Sequence, residues 1–225
     1  MNSKRNISII GGAGHVGFPL GLMLSSKGYK VSLIDKHVEN MNKINNGEIP
    51  FLEEKSEKLL KGMIKQKRIR ATNKLNETVN SKYVIICIGT PINDRLKPNL
   101  KDFINFFYQL RKFLKKNQIV IIRSSIYPGI CNKIYKIIKK KCKNLSYCPE
   151  RIVQGKSITE LPRLPQLVSG KTKRAIIESG KLFKKICKKI IYTDVTEAEL
   201  IKLFSNAYRY INFSISNQFY MICQN

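Results

Sequence analysis

The stretch Gly12-Ala13-Gly14-His15-Val16-Gly17 stands between the apolar run NISII and the helix-patterned run FPLGLMLSSKG. A Gly-x-Gly-x-x-Gly loop directly after a strand and directly before a helix narrows the fold more than any other feature of the chain. Gly12 permits the tight turn, Gly14 lets backbone approach a pyrophosphate, and Gly17 lets the helix pack on the strand. A pyrophosphate at that helix N-terminus meets free N–H groups and the positive end of the helix dipole. The next strand, KVSLID, ends in Asp35, about 20 residues past the glycines, where an acid grips the adenosine ribose hydroxyls. Asp35 would repel a 2′-phosphate, so the expected cofactor is NAD. His15 and Val16 fill the variable positions and are counted with the cofactor-lining loop.

Short β-branched runs alternate with helical stretches through most of the chain: YVIICIG, QIVIIRS, LSYCPE, QLVSG and KIIYT read as further strands. The expected fold is therefore α/β, a Rossmann-like doubly wound parallel sheet covered by helices on both faces. The strands stop near residues 193–196, and one long helix follows. The division read from sequence is a cofactor-binding unit at 1–195 and the start of a second, truncated helical unit at 196–225. Asp194 or Thr196 is the candidate cap of the last helix, with Glu197 and Glu199 in its first turn.

Ligands gather at the carboxyl ends of strands in such sheets. Those ends carry Gly89, Thr90 and Pro91 after YVIICIG, Ser124 and Ser125 after QIVIIRS, and Glu150 and Arg151 after LSYCPE. On the last helix Lys202, Asn206 and Arg209 form a polar line among apolar neighbours.

With 42 basic and 15 acidic residues the net charge is +27. Lysine dominates and is spread over helices rather than gathered in one arm, so nucleic acid is not the expected partner. The excess suits attraction of a small polyanion. Six cysteines without a CxxC pair and only His15 and His37 beside them offer no metal site. No apolar run reaches membrane-spanning length, and the first residues lack a signal peptide's apolar stretch; a cytoplasmic protein with reduced thiols is expected.

The segments GAGHVGFPL, VSLID, NNGEIPFLEE, VIICIGTPINDRLKPNL, IIRSSIYPG, YCPERIVQGKSITELPRLPQLVSG and EAELIKLFSNAYRYINFSISNQF occur in the order of a known family. In them the chain resembles the N-terminal half of the UDP-glucose/GDP-mannose dehydrogenase family, above all the branch that oxidises UDP-N-acetyl-hexosamines. The resemblance implies a four-electron oxidation of a sugar C6 alcohol to a carboxylate, two NAD per turnover, through a cysteine-bound thiohemiacetal and thioester. It implies that Gly12, Gly14, Gly17, Asp35, Gly89, Thr90 and Pro91 line the cofactor. Ser125 would hold an active-site water and border the cofactor. Glu150 would manage protons in thioester hydrolysis. Lys202 and Asn206 would stabilise charge on the C6 oxygen. Arg151, Ile152 and Val153 would contact the sugar nucleotide largely through backbone, and Arg209 would bind it.

The departures are specific. Gln154 stands where several relatives have a second Glu. FLEEKSEK replaces the usual Glu-Pro-Gly turn, a change expected to be cosmetic. None of the six cysteines lies in the family's Gly-x-Cys loop, and Cys223 reads as a helix-packing thiol. The expectation is thus an NAD-binding portion that does not complete the oxidation alone and pairs with a second copy through residues 200–225. A short hydroxy-acid dehydrogenase using Lys202 and Asn206 is the alternative among enzymes. A non-catalytic basic protein that binds nucleic acid or serves in assembly is the alternative of another class.

Overall fold

Strands rich in Ile and Val, apolar on both faces, can only be satisfied inside a covered sheet. The computed structural model describes residues 6–90 and 100–224. Its strands are β1 (Asn6–Ile10), β2 (Lys30–Ile34), β3 (Ile69–Thr72), β4 (Tyr83–Ile86), β5 (Ile119–Ile122), β6 (Leu145–Tyr147), β7 (Gln166–Gly170) and β8 (Ile190–Tyr192). They form one sheet in the order β3-β2-β1-β4-β5-β6-β7-β8. Alternate residues of β5 face opposite cores: Ile119 and Ile121 join Leu20, Leu33 and Phe183, while Val120 and Ile122 join Phe103, Phe107 and Ile134. This is the period-2 rule with both faces buried.

Two points differ from the expected all-parallel sheet. Strand β3 was not foreseen; it is an outer strand of four residues that alternates buried and exposed. Strand β7 runs antiparallel to β6, and β8 runs parallel to β7, so the last two strands oppose the first six. A parallel return needs a crossover to the other edge of the sheet. The β6–β7 connection carries only one helical turn, α6 (Ser157–Glu160), and the prolines Pro162 and Pro165. It stays on the edge where β6 ends, so the chain enters β7 from that edge.

The other helices are α1 (Gly17–Ser26), α2 (Val38–Asn45), α3 (Ser56–Lys65), α4 (Leu100–Leu110), α5 (Ile130–Ile138), α7 (Lys173–Phe183) and α8 (Val195–Gln224). Before α3, Lys55 adopts φ +63°, the left-handed conformation that the glycine of a Glu-Pro-Gly turn would take at no cost. Holding a residue with a Cβ in that conformation costs about 1 kcal/mol. Asp194, one of the two foreseen caps, takes the role for α8: its Oδ1 accepts from Glu197 N at 2.9 Å. Val195 and Ala198 pack into the sheet's second core, whereas Phe213, Phe219 and Ile222 are exposed.

Candidate functional site

Strand order reverses between β1 and β4, so their carboxyl ends open a crevice, the place where such sheets take ligands. The glycine loop fills one side of it. Gly11 N and Gly12 N both donate to Ile34 O, at 2.9 and 3.1 Å, tying the loop to β2. A Cβ on Gly12 would meet Leu33 Cα at 2.7 Å, and one on Gly17 would meet Gly11 O at 2.2 Å. Neither position admits a side chain. A Cβ on Gly14 would touch only Gly11 O, at 3.5 Å, so there the loop presents bare backbone outward. That cradle fits a pyrophosphate. Asp35 follows β2 with its carboxylate aimed by three main-chain donors: Ala13 N to Oδ2 at 2.9 Å, and Lys36 N and His37 N to Oδ1 at 2.8 and 3.2 Å. His15 is exposed and lies against Phe51, ring centroids 3.9 Å apart; Val16 is half-buried just before α1. Across the crevice Thr90 Oγ1 donates to Ser125 O at 2.7 Å, which joins the ends of β4 and β5. Gly89 is exposed beside Thr90, and Pro91 lies outside the described residues.

The second half of the site is built by the turn after β6 and by α8. Lys202 is 3% exposed, and its Nζ donates to Glu150 O at 2.6 Å and approaches Glu150 Oε1 at 3.3 Å. Glu150 Oε2 accepts from Ile152 N at 2.7 Å, and Val153 N donates to Glu160 Oε2 at 2.7 Å. With those two N–H groups engaged, and Val153 O accepting from Lys156 N at 3.2 Å, the 151–153 segment offers chiefly its exposed Arg151 side chain. Farther along α8, Arg209 Nη2 donates to Asn206 Oδ1 at 2.8 Å. The structure thus joins Glu150 with Lys202, Asn206 with Arg209, and Thr90 with Ser125. No hydrogen bond links the Ser125 hydroxyl to Glu150 or Lys202.

Sequence reasoning missed what Glu199 does. Its side chain is buried, and it accepts from Gly129 N at 2.8 Å and Cys131 N at 2.9 Å. The acid read as a dipole partner for its own helix in fact caps α5. The available signal was its place three residues before Lys202, on the same face of α8. The thiols contribute no activated nucleophile here. Cys87 sits at the end of β4, but burial pushes its thiol up to about 12. Cys223 is exposed on α8, about 30 Å along the axis from Lys202.

A family model described as the UDP-glucose/GDP-mannose dehydrogenase family, NAD binding domain, matches residues 5–191. The UDP-N-acetyl-D-mannosamine dehydrogenase of Methanococcus maripaludis strain C7 is 32% identical over 224 residues, which span 97% of this chain and 51% of that protein. The UDP-glucose 6-dehydrogenase of Rickettsia prowazekii is 27% identical, over 97% of this chain and 50% of its own. Among solved structures, the UDP-D-ManNAc dehydrogenase of Pyrococcus horikoshii superposes with a TM-score of 0.88 at 26% identity, covering 95% of this chain and 53% of that one. The chain spans about half the length of the curated relatives it matches.

Burial lowers the Lys202 ammonium below the ordinary 10.5; the charge and hydrogen bond of Glu150 pull it back up, while Arg209 and Arg123 push it down. The folded protein holds this proton more weakly than the unfolded chain does. Lys202 therefore disfavours the fold at neutral pH, and that penalty is relieved as pH rises toward 10.5. Titration of the Lys202 Cε signal by NMR should show a midpoint below the other lysines. In Glu150→Gln the midpoint should fall further; a rise would contradict the assigned balance.

Proposed function

The chain belongs to the UDP-glucose/GDP-mannose dehydrogenase family, and from that premise we propose that it is the NAD-binding portion of a nucleotide-sugar 6-dehydrogenase. The substrate is a UDP-N-acetyl-hexosamine or UDP-glucose, oxidised at C6 from alcohol to carboxylate with two NAD consumed. The observation that carries the reading is the buried Lys202 ammonium, held on the Glu150 carbonyl at the edge that also carries the glycine loop. NAD, when bound, supplies the hydride acceptor. Gly12, Gly14 and Gly17 shape its pyrophosphate cradle, and Asp35 takes the ribose hydroxyls. Gly89, Thr90, Pro91 and Ser125 line the rest of the crevice.

Lys202 and Asn206 stabilise negative charge at the sugar's C6 oxygen, where a low-dielectric setting strengthens a fixed cation. Glu150 moves protons during hydrolysis, and Ser125 holds the water. Arg151, Ile152, Val153 and Arg209 bind the nucleotide sugar. Among the described thiols, Cys87 is near enough to feel the Glu150 charge, and burial pushes it up to about 12, away from an activated nucleophile. The cytoplasm is the proposed setting; among the described residues no helix is long and apolar enough to cross a membrane.

NAD titration tests the cofactor assignment. Loss of a charged hydrogen-bond acceptor costs about 1.5–3 kcal/mol. Asp35→Ala should therefore weaken NAD roughly tenfold or more, and an unchanged affinity would contradict the role.

The exposed face of α8 with Phe204, Tyr208, Ile211, Ile215 and Phe219 is the proposed pairing surface for a second copy. It also supports reading residues 196–225 as the start of a helical unit. Sedimentation should show concentration-dependent dimerisation that Ile211→Glu abolishes. A monomer at high concentration would contradict it.

A further inference from the structure

Three successive carbonyls of one turn are each held by a different side chain. Cys148 O accepts from Arg123 Nη1 at 3.2 Å, Pro149 O from Gln166 Nε2 at 3.0 Å, and Glu150 O from Lys202 Nζ at 2.6 Å. The first two holds are one unit, because Arg123 Nη1 also donates to Gln166 Oε1 at 2.8 Å. The amide orientation of Gln166 follows from chemistry. Arginine has only donors, so the amide oxygen must face Arg123 and the NH₂ must face carbonyls. That NH₂ reaches Pro149 O and, at 2.8 Å, Leu167 O.

Arg123 is an expensive way to hold a turn. It is 2% exposed, and among the described residues no carboxylate pairs with it. Its Nε has no hydrogen-bond partner, and its guanidinium lies over the Phe183 ring, 5.0 Å from the centroid. A buried cation without an anion disfavours the fold, and an apolar residue would pack at lower cost. The position gains the planar NH₂ of Nη1, whose two N–H directions are fixed by the guanidinium plane and hold a carbonyl and an amide together, whereas a lysine ammonium is tetrahedral and rotates. Arg123 follows β5 directly, and Gln166 opens β7. The reversed direction of β7 is what brings Gln166 to the ligand edge beside the turn.

We propose that Arg123 and Gln166 are positioning residues for Glu150. They lock the two peptides before it, Lys202 locks its own carbonyl, and the carboxylate is delivered with Oε2 on Ile152 N. The importance of that placement for chemistry rests on the proposed function; the placement itself does not. The hydrogen bonds of both side chains go to the turn and to β7, not to the glycine loop that would cradle the pyrophosphate.

Ile152 N–H is a direct reporter, since Glu150 Oε2 is its acceptor at 2.7 Å. Amide hydrogen exchange by NMR is compared in the parent, Arg123→Lys and Gln166→Glu. Arg123→Lys keeps the charge and loses the planar pair of N–H donors on Nη1. Gln166→Glu keeps an acceptor for Arg123, gives it an anion and removes the donor to Pro149 O. Both should speed Ile152 exchange about tenfold or more. Val120 N–H and Cys87 N–H, which donate to Asn144 O and Ile10 O in the sheet, should stay within about twofold. Parent-like protection of Ile152 in both variants would overturn the proposal. So would equal acceleration at all three amides, which would mean general loosening. NAD affinity in the same samples should be unchanged. A parent that fails to bind NAD would sink the functional reading and leave the exchange result standing.

Discussion

A carboxylate on one helix caps another, and the ligand edge depends on it. Glu199 gives both oxygens to the first N–H groups of α5, at Gly129 and Cys131. A helix N-terminus with unsatisfied donors favours a negative charge, and a buried charge is tolerable only when so satisfied. The contact fixes α8 against the loop that follows β5, the loop that also carries Ser125. Lys202 comes one turn later on the same face and therefore arrives at the turn after β6. Val195 and Ala198 seat the first turn of α8 on the core, and Glu199 adds the polar anchor; beyond its first turns the helix is largely exposed.

The same economy recurs around the crevice. Its buried charged groups are satisfied mainly by main-chain atoms rather than by opposite charges. Glu53, also buried, accepts from Ser157 Oγ at 3.0 Å and Ile158 N at 3.1 Å, while Glu54 N donates to Gly155 O at 2.9 Å. Phe51, two residues earlier, packs on His15 of the glycine loop. One short segment therefore spans from the cofactor loop to the 151–158 segment. Hydrogen bonds from charged groups to backbone fix loops in single conformations, which a surface edge built of loops requires.

Much of this was legible from residue order. Gly12, Gly14, Gly17 and Asp35 predict a loop, its strand and its helix, because Gly12 and Gly17 answer steric demands that no other residue meets and Gly14 leaves bare backbone facing outward. The polar line on α8 marked Lys202 before any contact was known. What was not legible depended on long-range pairing. The reversal of β7 follows from a connection that stays on one edge, and its strand pattern reads the same in either direction. The partner of Glu199 lies some 70 residues away, on another helix. Arg123 carries no signal in the residue order, since its surroundings include Phe183 and Gln166, both distant in sequence.

The central claim is that the Glu199 cap holds Lys202 in its buried place. The most direct measurement is the Lys202 titration in Glu199→Gln, set beside the parent. The account predicts that the midpoint moves up toward the ordinary 10.5 as α8 lifts and the ammonium regains water, while the strands stay folded. A midpoint unchanged from the parent would contradict it.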